Sequence, residues 1–322
     1  MNQNAEKKRL FFLDSARGLA ILLVVLGHIR ETEELIPVLI YSFHVPLFFI
    51  ISGILINYTD ARKKSWKTLI LSRITGLLLP YILYELIFVI MFGLRSGFDF
   101  SSLGANAWDG LLLKPQNVPL WFLICLFFSE LILIFSLKTF RKPWITALLS
   151  LILYLLPFLI TPANYITELF LKTCSSLGFL ALGYFCASFI RNTSMPAWLL
   201  AVLLFAGGGA AWLNGKTGIN KLTFHNPVLF TFSAVVLSFC ILFLLKKARI
   251  RVLEFAGKNT LPVLGLHIIV LRILEQILGL DTSTVPGVVA ALVLIFLLLT
   301  PVCLFINRFL PPLAGKFPHK AK

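Results

Sequence analysis

Arg17 and His28 lie in the run LDSARGLAILLVVLGHIRE, where every other residue from 18 to 27 is apolar or glycine. A guanidinium keeps its charge and presents a planar fork of donors suited to phosphate or carboxylate. An imidazole, with an ordinary pKa of about 6.5, can take and return a proton near neutral pH. It can also carry an acyl group covalently. On a helix, the spacing of the two residues turns through roughly 1100°, or three turns plus about 20°, and climbs about 16–17 Å. They share one helix face, with Arg17 at one end and His28 deep toward the other. Asp14 sits one turn before Arg17 and could cap the helix or hold the guanidinium. Each has a plainer role when taken alone: Arg17 as a snorkelling anchor, His28 as an interfacial or helix-bonding histidine.

Other polar groups interrupt apolar runs, where they are costly without a purpose. His44 and Pro46 stand in YSFHVPLFFIISG, followed by the small residues Ser52 and Gly53, which suit close helix packing. A short link joins this run to the first, so His28 and His44 are expected at similar depth in an antiparallel pair. Glu85 and Glu130 must each be protonated, paired or in contact with water. Trp121 in PLWFLICLFFSE suits an interfacial belt. In GKNTLPVLGLHIIVLRILEQ, Asn259 is placed to cap a helix and His267 falls near mid-membrane. Arg272 and Glu275 are one turn apart and could pair with each other.

The elements that must position these groups are hydrophobic helices. Of the 322 residues, 58% are hydrophobic and 13% charged, and the mean hydropathy is +0.92. A water-soluble fold could not cover so much apolar side chain, and the runs are too long for a membrane β-barrel. The expected fold is all-α, a polytopic transmembrane bundle. About ten spans are expected, near 15–34, 38–57, 71–93, 119–137, 143–160, 173–190, 197–213, 227–245, 260–279 and 285–307. The fifth and sixth are the hardest to bound, because Pro157 and Pro162 interrupt the region and 163–173 could be an interfacial piece. The stretch 94–118 reads as a loop. The first run is expected to stay as a helix and not be cleaved as a signal.

The net charge of +15 does not point to nucleic acid. The basic residues cluster between apolar runs, as at Arg62, Lys63, Lys64 and Lys67, or at Lys246, Lys247, Arg249 and Arg251. With the N-terminus inside and ten spans, Lys and Arg divide about three to one in favour of the inner side. Both termini are therefore expected in the cytoplasm, the chain is read as one integral-membrane domain over 1–322, and 310–322 forms a short basic tail. The five cysteines form no CxxC pair and no disulfide or zinc framework, and read as small apolar side chains.

The Arg-x10-His pair Arg17 and His28, the segment FHVPLFFIISG, PLWFL at 119–123 and GKNTLPVLGLH at 257–267 together resemble the acyltransferase 3 family, in order and over most of the chain. Within it, the chain looks most like the short O-acetyltransferases of sugars and polysaccharides that have no fused outer domain. The resemblance implies transfer of an acyl group from cytoplasmic acyl-CoA, most simply acetyl-CoA, to a hydroxyl of a cell-surface glycan or its lipid-linked precursor, in the cytoplasmic (inner) membrane and without a metal. It implies that Arg17 helps bind the donor and that His28 serves in transfer. Arg73 and Lys258 are lesser donor-binding candidates. Asp14, His44, Trp121, Glu130, Asn259 and His267 are supporting or acceptor-side candidates. Bilayer lipid is the other expected partner, and a homo-oligomer is compatible with the sequence.

Two other classes compete. An exporter or permease for a polysaccharide or small acid would be favoured by broken helix pairs and repeat symmetry, and no internal repeat is visible. A non-enzymatic scaffold would leave the intramembrane histidines without a reason.

Overall fold

The computed structural model describes residues 10–29, 35–95, 100–111 and 113–317. The basic residues Lys7, Lys8, Arg9, Arg30, Lys320 and Lys322 used in the charge count lie outside them. The described residues are 84% helical and form no strand. The helices in order are α1 Phe11–Ile29, α2 Leu35–Tyr58, α3 Trp66–Arg73, α4 Leu79–Arg95, α5 Phe100–Leu111, α6 Trp121–Thr139, α7 Pro143–Leu155, α8 Tyr165–Asn192, α9 Ala197–Asn214, α10 Pro227–Lys247, α11 Arg251–Lys258, α12 Thr260–Gln276 and α13 Val285–Phe309. A π-helical turn, Ile74–Leu78, joins α3 to α4.

Among the described residues, eight segments are long and apolar enough to cross a bilayer. They are α1, α2, the run Trp66–Phe92, the run Val118–Thr139, α8, α9, α10 and α13. Helices α11 and α12 meet at 84° and make a ninth span if counted together. The remaining expected span, near 143–160, is the shorter apolar segment Pro143–Phe158. This is a multi-pass membrane protein.

Two local expectations change. The stretch 163–173 is not a separate interfacial piece, because α8 runs unbroken from Tyr165. Asn164 caps it, accepting from the Thr167 backbone N–H at 3.0 Å, while the Thr167 hydroxyl accepts from the Asn164 N–H at 3.0 Å. The polar stretch 94–118, read as a loop, contains α5; residues 96–99 and 112 lie outside the described set. Its Ser, Gly and Asn content hides a helical spacing, with Leu103, Ala107 and Leu111 four residues apart. The helix is tied to α4 where Tyr81 Oη donates to the Gly110 carbonyl at 2.7 Å.

The bundle is set by backbone contacts that only glycine permits. A Cβ on Gly53 of α2 would lie 1.9 Å from the Leu180 carbonyl oxygen of α8, and one on Gly183 would lie 2.0 Å from that of Ile50. The same reciprocity joins α1 to α11: a Cβ on Gly18 would meet Leu253 O at 1.9 Å, and one on Gly257 would meet Asp14 O at 1.9 Å. Small residues let helices approach this closely, and dispersion then holds them in lipid. These two crossings fix the helices that carry Asp14, Arg17, His28, His44 and Lys258.

The bend between α11 and α12 falls at Asn259, which does not cap α12 with its side chain. Asn259 Nδ2 donates to Phe255 O at 2.8 Å and its Oδ1 accepts from Asn307 Nδ2 at 2.5 Å. The side chain thus clamps α11 to α13 across the corner. The start of the tail is also built in: Leu313 is buried, and its carbonyl accepts from Tyr84 Oη at 2.9 Å.

Candidate active site

Helix α1 carries His28 at its C-terminal end, where a cavity of about 410 Å³ opens between α1, α2, α6, α12 and the loop that joins α9 to α10. His28, His44, Trp121 and Thr260 line it, with the aromatic side chains Tyr41, Phe48 and Phe122. His28 and His44 both face this one space. Tyr41 orients the pair. Its hydroxyl donates to the Gly27 carbonyl at 3.2 Å, and its ring meets that of His44 edge-on with centroids 5.2 Å apart.

His44 is buried, and its Nδ1 lies 2.6 Å from the Ile40 carbonyl oxygen. A carbonyl can only accept, so Nδ1 carries the hydrogen there. His267, one helix away on α12, has its ring centroid 5.3 Å from that of His28. It stands behind the cavity and is fully enclosed. Three histidines separated by up to 239 positions in sequence (267 − 28) thus gather at one end of α1. Trp121 lies in the cavity wall, buried, with Lys172 Nζ 5.6 Å above its ring. Lys172 is itself buried and paired with Glu168 at 2.5 Å.

The other end of α1 holds a second group. Glu130 of α6 forms a buried ion pair with Arg73, the last residue of α3, just before the π-helical turn. Arg17 lies within electrostatic reach of Glu130. Of the donor-side candidates, Arg73 pairs with the Glu130 carboxylate, and Arg17 acts on the same carboxylate through its charge. Glu130 is consumed by that pairing and does not reach the cavity. Lys258 follows Gly257 at the crossing of α11 with α1 and is exposed, with Glu254 at 3.8 Å. Asp14 is buried where α1 crosses α11.

Two other carboxylates have structural partners. Glu85 accepts from the backbone N–H groups of Gln116 at 2.5 Å and Asn117 at 3.2 Å. Arg272 and Glu275 do not pair. Arg272 stacks on Phe92 at 4.4 Å, and Glu275 accepts from the Thr282 hydroxyl at 2.8 Å. The aromatic face of α4 offers Arg272 a contact that the sequence spacing does not reveal.

Sequence reasoning missed the loop 215–226, which closes the cavity with Lys216, Thr217, Lys221, Thr223 and His225. Asn214 and Asn226 close the base of this loop. Asn214 Nδ2 donates to Phe224 O at 3.0 Å, and its Oδ1 accepts from the Asn226 N–H at 2.8 Å. Gly218 and Thr223 pair like a minimal hairpin. Leu222 and His225 take positive φ of 49° and 48°, sparsely populated for such residues. Thr217 Oγ1 is buried without a hydrogen-bond partner. The available signal was Lys, Thr, Asn and His crowded into a short link between apolar runs.

A family model described as an acyltransferase domain matches residues 10–307. No curated protein and no solved structure matches the chain. The match begins just before α1, runs past the histidine cavity and the Arg73–Glu130 pair, and ends inside α13. With nearly the whole chain inside it, the likeness carried by Arg17, His28 and the three later segments becomes an assignment: the chain belongs to the acyltransferase 3 family.

Proposed function

We propose that the protein is an acyl-CoA-dependent O-acyltransferase of the cytoplasmic membrane, most simply an acetyltransferase, that modifies a hydroxyl of a cell-surface glycan or its lipid-linked precursor. The observation that carries this reading is the division of α1. His28 opens into the cavity at one end, and Arg17 lies by Arg73 and Glu130 at the other. A run of about 16–17 Å along a helix is of the order of an extended pantetheine arm. A donor whose phosphates lie near Arg17 and Arg73 would bring its thioester toward His28.

In this reading His28 takes the proton of the acceptor hydroxyl as its oxygen attacks the thioester carbonyl. The C–O bond forms, the C–S bond breaks, and the proton passes on to the leaving sulfur. The cavity lies at the small end of the range for ligand pockets, which suits one sugar ring better than a folded glycan chain. Tyr41, Trp121 and Phe122 give it the aromatic faces on which the C–H side of a sugar packs.

The test uses the full chain in native membrane vesicles. His28→Ala and Arg17→Ala are each expected to insert normally and to lose transfer of labelled acetyl from acetyl-CoA to glycan. His28→Ala should act on kcat, and Arg17→Ala should first raise KM for the donor.

The 84° break between α11 and α12 is a feature that favours an exporter, since transporters use broken helices. Here α11 packs across α1 through Gly18 and Gly257. The two readings part on the same variants: secretion lost with acylation unchanged would turn the assignment to export.

A further inference from the structure

The geometry points to His267 as the positioning residue that steadies His28 when its ring becomes charged, an inference that rests on the reading of His28 as the base. His267 is enclosed, with 0% of its surface exposed. Its Nδ1 faces the carbonyl oxygens of Val263 and Leu264 at 2.9 and 3.0 Å. Both oxygens can only accept, so Nδ1 carries the hydrogen, and Nε2 of the neutral ring carries a lone pair. That Nε2 is buried and has no hydrogen-bond partner. A buried acceptor left unpaired is expensive, and where one persists it calls for a reason.

The reason lies in the neighbouring ring. His28 and His267 have centroids 5.3 Å apart and planes tilted by 45°. Centroids at that separation leave the ring edges at about hydrogen-bond distance, so a rotation of the His28 ring would carry one of its nitrogens toward His267 Nε2. Hydrogen bonds of this kind are often long before substrate arrives and tighten in the complex. His44 has the same tether to a carbonyl one turn back. It lines the cavity, however, while His267 lies behind it, so His267 is the ring that can receive the far side of His28.

As the hydroxyl proton moves to one nitrogen of His28, that ring holds two N–H groups and a positive charge. The second N–H donates to His267 Nε2. No proton moves to His267, whose own N–H stays on the α12 carbonyls. The proton that His28 took returns to the departing sulfur, which leaves a free thiol, an ester, and His28 neutral again. The hydrogen bond strengthens only when His28 is charged. It therefore lowers the barrier without tightening substrate binding.

Membrane vesicles that carry the full chain and its native acceptor, supplied with acetyl-CoA, test this through free-thiol release. His267→Leu is expected to lower kcat roughly 10- to 100-fold, the scale of one hydrogen bond to a charged group, with KM for acetyl-CoA within about twofold. His267→Gln, which keeps an acceptor oxygen, is expected to recover a large part of that loss. Unchanged kcat in His267→Leu, a loss expressed in KM, or equal losses in the Leu and Gln variants overturns the inference. Should His267→Leu fail to accumulate, His267→Met against His267→Gln makes the same contrast, since Met fills the space with only a weak acceptor. Intact turnover in His28→Ala would overturn the base assignment itself, and absent turnover in the wild type would overturn acyl transfer. Those two failures are visible apart from any effect of His267.

Discussion

At the scale of single residues, two groups of charged and polar side chains mark the two ends of α1. One is the imidazole cluster of His28, His44 and His267 at the cavity. The other is Arg17 with the Arg73–Glu130 pair. The ion pair is largely buried, with the Arg73 side chain 19% exposed and that of Glu130 10%, so removal of one partner strands the other. Glu130→Gln is expected to cost about 3–5 kcal/mol, seen as a lower unfolding temperature in nanodiscs. A double variant, Arg73→Met with Glu130→Leu, is expected to recover most of that stability but not donor binding. Stability unchanged in Glu130→Gln would show that the pair is not held as described. The Arg17 and His28 juxtaposition was legible in sequence because helical periodicity alone places them. Glu130 was legible only as a group in need of a partner. Its pairing with Arg73, and that of Arg272 with Phe92, depend on which helices meet.

At the scale of elements, the glycine crossings hold the site together. A Cβ at Gly53 or Gly183 would enter the backbone of the facing helix, whereas one at Gly209 would meet nothing within 4 Å. Gly53→Ala and Gly183→Ala are therefore expected to destabilise the bundle by about 1–3 kcal/mol, the usual range for overpacking. Gly209→Ala should be neutral. Thermal unfolding of the three variants checks this, and equal behaviour would refute the close crossing of α2 and α8. Apolar runs were readable because lipid demands length and hydrophobicity. The corner at Asn259 was not, because a polar residue between two helical stretches looks like a cap. Here it links Phe255 and Asn307 across the corner. Helix α5 was hidden for a similar reason, since its polar composition resembles a loop.

For the whole molecule, the basic clusters and the two poles of α1 predict one orientation. The Arg17 pole should face the cytoplasm, where acyl-CoA is made, and the His28 cavity should face outward. Reporter tags at both termini are expected to read cytoplasmic, and a single cysteine introduced at exposed His225 should react with an impermeant reagent added outside. The opposite labelling would reverse the route proposed for the acyl group. The loop 215–226 could be counted for charge in the sequence. Its closure over the cavity follows only once Asn214 and Asn226 are seen to close its base.

Transfer of acyl groups by His28 to a surface glycan can be read by mass spectrometry of surface glycans from cells that express the wild type or His28→Ala at equal levels. The expected result is the same glycan in the same amount, with ester-linked acyl groups present in the first and missing in the second. Equal acylation in both would contradict it.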